Sequence, residues 1–190
     1  MTQLVSSGAK ATYGYEADTG KELWKITYKG FSNAASPVFI SNKLAVINSG
    51  FGKAHLLGLR LDDEMTGDLT KSHIEWDLFK RIPTRSSPLI VDGMVYVTSD
   101  EGMLSRINPK TGKTEANLSV KGHYSASGAY ADGHLYYFSE EGKAFVVKPG
   151  EEMKVISTNE LDDGFMASPA LDEGSFYLRT KSHVYRVGKE

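Results

Sequence analysis

The chain has 190 residues, of which 40% are hydrophobic and 24% charged, an ordinary globular balance with enough apolar material for a sizeable core. Its 22 basic and 24 acidic residues leave a formal charge of −2, so charge gives no reason to expect nucleic acid or an anionic membrane as partner. With no cysteine, disulfides, thiolate zinc sites and cysteine nucleophiles are excluded, while either redox compartment stays open.

Met1 to Gly8 reads Met-Thr-Gln-Leu-Val-Ser-Ser-Gly, without the basic region and apolar run of a signal peptide. No run of about 18 apolar residues occurs, so no membrane span is expected. Leu4–Ser6 and Lys10–Glu16 read as strands, and a third begins near Lys21 after the turn at Asp18-Thr-Gly. A new unit opens near Ala34 with Ser36-Pro37 and closes with a strand from about Ser72. Between them, Leu61-Asp-Asp-Glu-Met-Thr-Gly-Asp68 is acidic and reads as a long, solvated hairpin, since its spacing does not match a calcium loop. The next unit gives strands at about Ser86–Val91, Met94–Ser99, Met103–Asn108 and Lys113–Val120. The one after gives Ser125–Ala131, His134–Ser139, Lys143–Lys148 and Met153–Thr158. A last first-type strand begins near Ala167, with Ser175–Arg186 supplying two more.

These units repeat. Ser87-Pro88, Ser127-Gly128 and Ser168-Pro169 stand 40 and then 41 residues apart, and Ser36-Pro37 lies 51 before Pro88. Asp92-Gly93 returns as Asp132-Gly133, Tyr96 as Tyr136 and Tyr177, and Gly102 as Gly142. A period near 40 fits propeller blades or helical solenoids. The strands decide, because Met94-Val-Tyr-Val-Thr and His134-Leu-Tyr-Tyr-Phe are β-branched and aromatic, and each follows an Asp-Gly hairpin turn. No segment keeps a helical apolar period. The fold expected is all-β, a β-propeller of four-stranded antiparallel blades. A β-sandwich has no reason to repeat the same turn residues.

Asp18-Thr-Gly-Lys-Glu-Leu-Trp24 resembles the Thr-Gly-Lys-x-x-Trp blade signature of the PQQ-like, quinoprotein-type repeat family. Lys110-Thr-Gly-Lys113 looks like a second copy without the Trp, and Thr66-Gly-Asp68 followed by Trp76 like a third, stretched one. From Gly67 onward the chain resembles the C-terminal part of large bacterial PQQ-like propeller proteins. The resemblance implies a ring of usually eight blades, in which Trp24 and Trp76 pack between neighbours and the turns at Thr19-Gly20 and Thr111-Gly112 fix the loops. First and fourth strands number four each and second and third strands five each, so the expectation is about 4–5 blades in an incomplete ring. Approximate blades are 1–30 (partial), 31–80, 81–121, 122–162 and 163–190 (partial). Open edges could then pair with another copy.

The start of each first strand lies nearest a propeller axis. This makes Asn33, Thr84, Tyr124 and Phe165, with Ala34, Arg85, Ser125 and Met166 beside them, candidates for the channel mouth. Arg85 could meet a carboxylate or phosphate there, or pair with an internal acid. Blade-to-blade packing is the competing use of all these positions. None of the five histidines has metal-ligand spacing. Gly112-Lys113-Thr114 fails as a phosphate loop, since Ile107 stands where the motif needs glycine.

PQQ enzymes of the family use a vicinal disulfide, a calcium site and an aspartate base. No cysteine exists here and no acid matches a family catalytic motif, so no cofactor is expected. The expected role is a non-catalytic scaffold that binds a protein or peptide through its rim or axial channel. Part of an oxidoreductase completed by other blades, or a glycan-binding propeller, are the alternatives. Relatives imply a periplasmic or secreted location.

Overall fold

Five antiparallel sheets follow one another along the chain in the computed structural model, which describes residues 2–188. The first holds β1 (Gln3–Ser7), β2 (Ala11–Glu16) and β3 (Glu22–Thr27). After β4 (Gly30–Phe31), the second contains β5 (Val38–Ser41), β6 (Leu44–Asn48), β8 (Leu56–Arg60) and β10 (Ile74–Leu78). Its connections carry β7 (Phe51–Gly52) and β9 (Gly67–Asp68). The third is β11 (Leu89–Val91), β12 (Met94–Thr98), β13 (Met103–Ile107) and β14 (Thr114–Ser119). The fourth is β15 (Ala129–Ala131), β16 (His134–Phe138), β17 (Lys143–Lys148) and β18 (Lys154–Glu160), and the fifth is β19 (Ala170–Asp172), β20 (Ser175–Arg179) and β21 (Val184–Gly188). Apart from β9, which joins the first sheet from the second unit, the strands of each sheet follow one another as an antiparallel meander, so the fold is an all-β propeller built from four-stranded blades.

Local chemistry sets this geometry. Asp92-Gly93, Asp132-Gly133 and Glu173-Gly174 all hold both central residues at positive φ, the two-residue turn whose twist matches the flanking strands. Between the third and fourth strands a bulge recurs at one position, at Gly14/Tyr15, Ile74/Trp76, Arg106/Ile107 and Val146/Val147. It bends and twists each blade in the same way.

The core is divided among the junctions. One apolar cluster joins Trp24 and Ile26 to Ala45, Ile47, Leu57 and Leu59 of the next blade. A second joins Val46, Leu56 and Trp76 to Val95, Val97 and Ile107. A third joins Tyr96, Leu104 and Val120 to Tyr124, Leu135 and Tyr137, and a fourth joins Phe138 to Phe165 and Leu178. Both tryptophans need glycine opposite them on the third strand. A Cβ at Gly14 or Gly58 would fall inside the Trp24 or Trp76 ring. Trp76 also donates from Nε1 to Pro109 O in the following blade at 2.7 Å, and its ring lies against Gly112. Trp24 instead donates to Gln3 Oε1 of its own blade at 2.8 Å. Gly20 and Gly112, both at φ near +70°, close the same turn by donating to Glu16 O and Asn108 O, while Gly67 shares that φ but lies in β9.

The acidic insert differs from the solvated hairpin expected of it. Met65 and Leu69 are buried in the first junction, and β9 adds to the preceding blade parallel to β3, with Gly67 opposite Trp24. Leu69 N–H donates to Lys25 O at 2.9 Å and Thr27 N–H to Thr70 Oγ1 at 2.8 Å. Two apolar residues four apart outweigh the charges around them, because those charges stay at the solvent face.

The Ser-Pro and Ser-Gly elements clasp the blades together. Ser36 N–H donates to Ser87 Oγ at 3.0 Å, Ser87 N–H to Ser127 Oγ at 2.9 Å, and Ser127 N–H to Ser168 Oγ at 2.9 Å. The first strands β5, β11 and β15 also touch one another across blades. They are therefore the innermost strands.

Candidate functional site

The linkers that enter each first strand thread past the turns between second and third strands. Val120 N–H donates to Gly102 O, Tyr124 N–H to Asp100 O, Leu161 N–H to Gly142 O and Phe165 N–H to Ser139 O. Linkers and turns thus form one end of the propeller, where the candidate mouth residues sit.

Four of those residues, Asn33, Thr84, Arg85 and Ser125, join polar contacts that cross blades. Asn33 Nδ2 donates to Asn48 O at 2.6 Å, and Asn48 Nδ2 donates to Pro83 O at 2.7 Å. Thr84 donates to Asp100 through its N–H at 2.9 Å and its hydroxyl at 2.5 Å. Arg85 lies 3.8 Å from Asp100 and 3.9 Å from Glu140 of the next blade, and its side chain is 44% exposed. Ser125 donates its hydroxyl to Glu140. Asn33 and Thr84 are thereby committed to internal bonds, while Arg85 keeps an open face between two carboxylates.

Tyr124 and Phe165 differ from the mouth positions expected of them. Each is 1% exposed and fills a blade junction. The Tyr124 hydroxyl donates to Val120 O at 2.5 Å, and burial pushes that phenol up. Phe165 meets Phe138 edge-on, with ring centroids 5.2 Å apart. A large aromatic at this step fits only by turning into the junction, since an apolar ring gains by leaving water. Met166, one residue on, is the exposed neighbour.

Residues not picked out beforehand complete the face. Asp100 and Glu140 occupy the same place in the Ser-Asp-Glu-Gly and Ser-Glu-Glu-Gly turns, a repeat visible in the sequence. Glu141 accepts from the His123 ring at 2.6 Å. Burial works against the Glu141 charge, but hydrogen bonds from His123 outweigh it and lower its pKa to about 2. The same bond, with the nearby acid charges, raises His123. On the second blade, β4 pairs with β7 and brings Phe31 against Phe51. The opposite end of the molecule holds a cleft of about 1120 Å³ between the second and third blades, walled by Lys43, Arg60, Asp62, Asp63 and Lys110. Arg60 is already tied there to Asp62 and Glu75.

Fold and face together define a PQQ-like β-propeller. The chain belongs to the family described as outer membrane protein assembly factor BamB, whose model matches residues 1–190. The crystal structure of BamB from Moraxella catarrhalis superposes with a TM-score of 0.59 at 12% identity, over 97% of this chain and 69% of that one. The computationally designed Ika8 protein superposes with a TM-score of 0.73 at 13% identity, over 99% of this chain and 55% of that one, so the chain spans about half its length. At these identities the likeness concerns the fold. No curated protein matches the chain.

The residues present do not fit PQQ with calcium. No cysteine exists for a vicinal disulfide. Among the described residues no group of three His, Cys, Asp or Glu side chains could hold a metal ion. The five histidines are each engaged locally: His55 with Asp77, His73 with Asp62 and Ser72, His123 with Glu141, His134 with Asp132 O and His183 with Ser182. Among the described residues no helix is long and apolar enough to cross a membrane.

Proposed function

We propose that this chain is a non-catalytic propeller scaffold that binds a protein or peptide partner on its linker-and-turn face. The observation that carries the reading is a set of exposed apolar side chains and an open guanidinium on that face. Phe31, Phe51, Phe79 and Met166 are exposed while Arg85 keeps an open face, and such surface contributes little to folding but suits a partner. The family name, an assembly factor, supports the same reading. A periplasmic or secreted location rests on the family alone.

The test places a photo-crosslinking side chain at Met166 or Phe51 in living cells, with Ile156 on the outer strand β18 as control. One discrete protein adduct from the linker face and none from Ile156 is the expected result. Equal adducts from all positions would count against it. Titration with PQQ and calcium provides the opposing arm, and stoichiometric change in quinone absorbance would overturn the scaffold reading.

A further inference from the structure

The linker-side end of the second blade differs from that of its neighbours. Its turn between second and third strands runs from Ser49 N–H to His55 O, whereas the equivalent turns close from Ser99 to Met103 and from Ser139 to Lys143. The longer turn makes β7, which pairs with β4 so that Gly30 faces Gly52 and Phe31 faces Phe51. The rings meet edge-on at 5.4 Å, yet remain 52% and 48% exposed. Lys29 and Lys53, the residues next to the paired Gly30 and Gly52, are both exposed. Two contacts bring the next linker alongside: His55 Nδ1 meets Asp77 at 2.7 Å, and Asn48 donates to Pro83 O. That linker carries Phe79, 67% exposed, with Lys80 and Arg81.

Like charges gathered at one end of a ribbon repel each other, and exposed phenylalanines gain nothing from water. Both occur on a turn extension that the other blades do without. The charge here is one-sided. Residues 23–61 and 78–91 contain no Asp or Glu, and Asp77 is held by His55. The same face on later blades is acidic, with Asp100, Glu101, Glu140, Glu141, Asp162 and Asp163 against Lys121, Lys143 and Lys181. A flat anionic bilayer that met the phenylalanines would also meet these carboxylates and be repelled. A narrow segment avoids them.

We propose that the ribbon around Phe31 and Phe51 is the docking site for an acidic peptide segment with aromatic or aliphatic anchors. The anchors lie against the three phenylalanines, and the carboxylates meet Lys29, Lys53, Lys80 and Arg81. This rests on the scaffold reading and names the partner's chemistry.

The experiment measures fluorescence anisotropy of a labelled peptide of alternating Glu and Phe, beside its Lys and Phe counterpart and phosphatidylglycerol vesicles. Binding of the acidic peptide, falling with salt and weakened about tenfold or more by Phe31→Ser/Phe51→Ser and by Lys29→Glu/Lys53→Glu, is expected. Wild-type thermal melting confirms that the variants fold. Preference for the basic peptide, unchanged affinity in both variants, or vesicle binding lost with the same substitutions would each overturn the proposal. Acidic-peptide binding that survives both ribbon variants but is lost in Arg85→Ala overturns only the ribbon and leaves the scaffold reading standing.

Discussion

The first two blade junctions and the last two solve one packing problem differently. In the first two a tryptophan on the fourth strand, Trp24 or Trp76, lies over glycine on the third, and the linker carries the small polar Asn33 or Thr84. In the later blades that cross-strand pair becomes Arg106 with Ala116 and Val146 with Ser157, and the linker carries Tyr124 or Phe165, turned into the junction. The bulk has moved inward from the rim to the linker. A junction thus needs a filled volume between blades, and several positions along the repeat can supply it.

The sharpest way to break this comparison is truncation on each side. Trp76→Ala is expected to cost about 3–5 kcal/mol in denaturant unfolding, and Phe165→Ala to fall in the same range. If Phe165→Ala costs under about 1 kcal/mol, the two kinds of junction are not equivalent. Gly58→Ala follows, at about 1–3 kcal/mol, because its methyl group would enter the Trp76 ring. The double variant Gly58→Ala/Trp76→Ala should lose less than the two singles combined, and additive losses would show that the pair is not coupled. Ser87→Ala removes the acceptor for Ser36 N–H and is expected to cost about 0.5–1.5 kcal/mol.

The smallest effect belongs to His123 and Glu141, which are exposed. The His123 pKa is raised, so its contribution is complete below the ordinary value of 6.5 and fades as pH rises through the folded value. Glu141 is lowered, so its contribution is complete above the ordinary 4.5 and fades as pH falls towards about 2. The pair therefore contributes most between roughly pH 4.5 and 6.5. Glu141→Gln should bring the His123 titration seen by NMR back down, and an unmoved midpoint would remove the pair.

Much of the fold was legible because its signals are local. Asp-Gly turns, β-branched strands and the 40-residue spacing all act within a few residues of themselves. The acidic insert misled because its composition is dominated by residues at the solvent face, while Met65 and Leu69 decide where it docks. Of the mouth positions, Asn33, Thr84 and Arg85 do join those polar contacts, but Tyr124 and Phe165 turn into the junctions. Spacing gives a residue's step along the repeat and not its rotamer. The Phe31 and Phe51 ribbon was hidden for a related reason, since its pairing joins a linker to a turn 20 residues away.

The serine clasp has a consequence for how such a protein grows. Ser87 and Ser127 each accept with the hydroxyl from the blade before and donate with the backbone N–H to the blade after. Both of these units therefore carry the two halves of the same connector, facing the same way. A unit copied beside itself would bring the hydrogen-bonding part of a joint with it, while the apolar filling of the junction would still have to match. Deleting one leaves its neighbours still able to make this bond. The hydroxyl acts as an interchangeable coupling, and lengthening the array by duplication needs no new hydrogen-bonding chemistry at the seam.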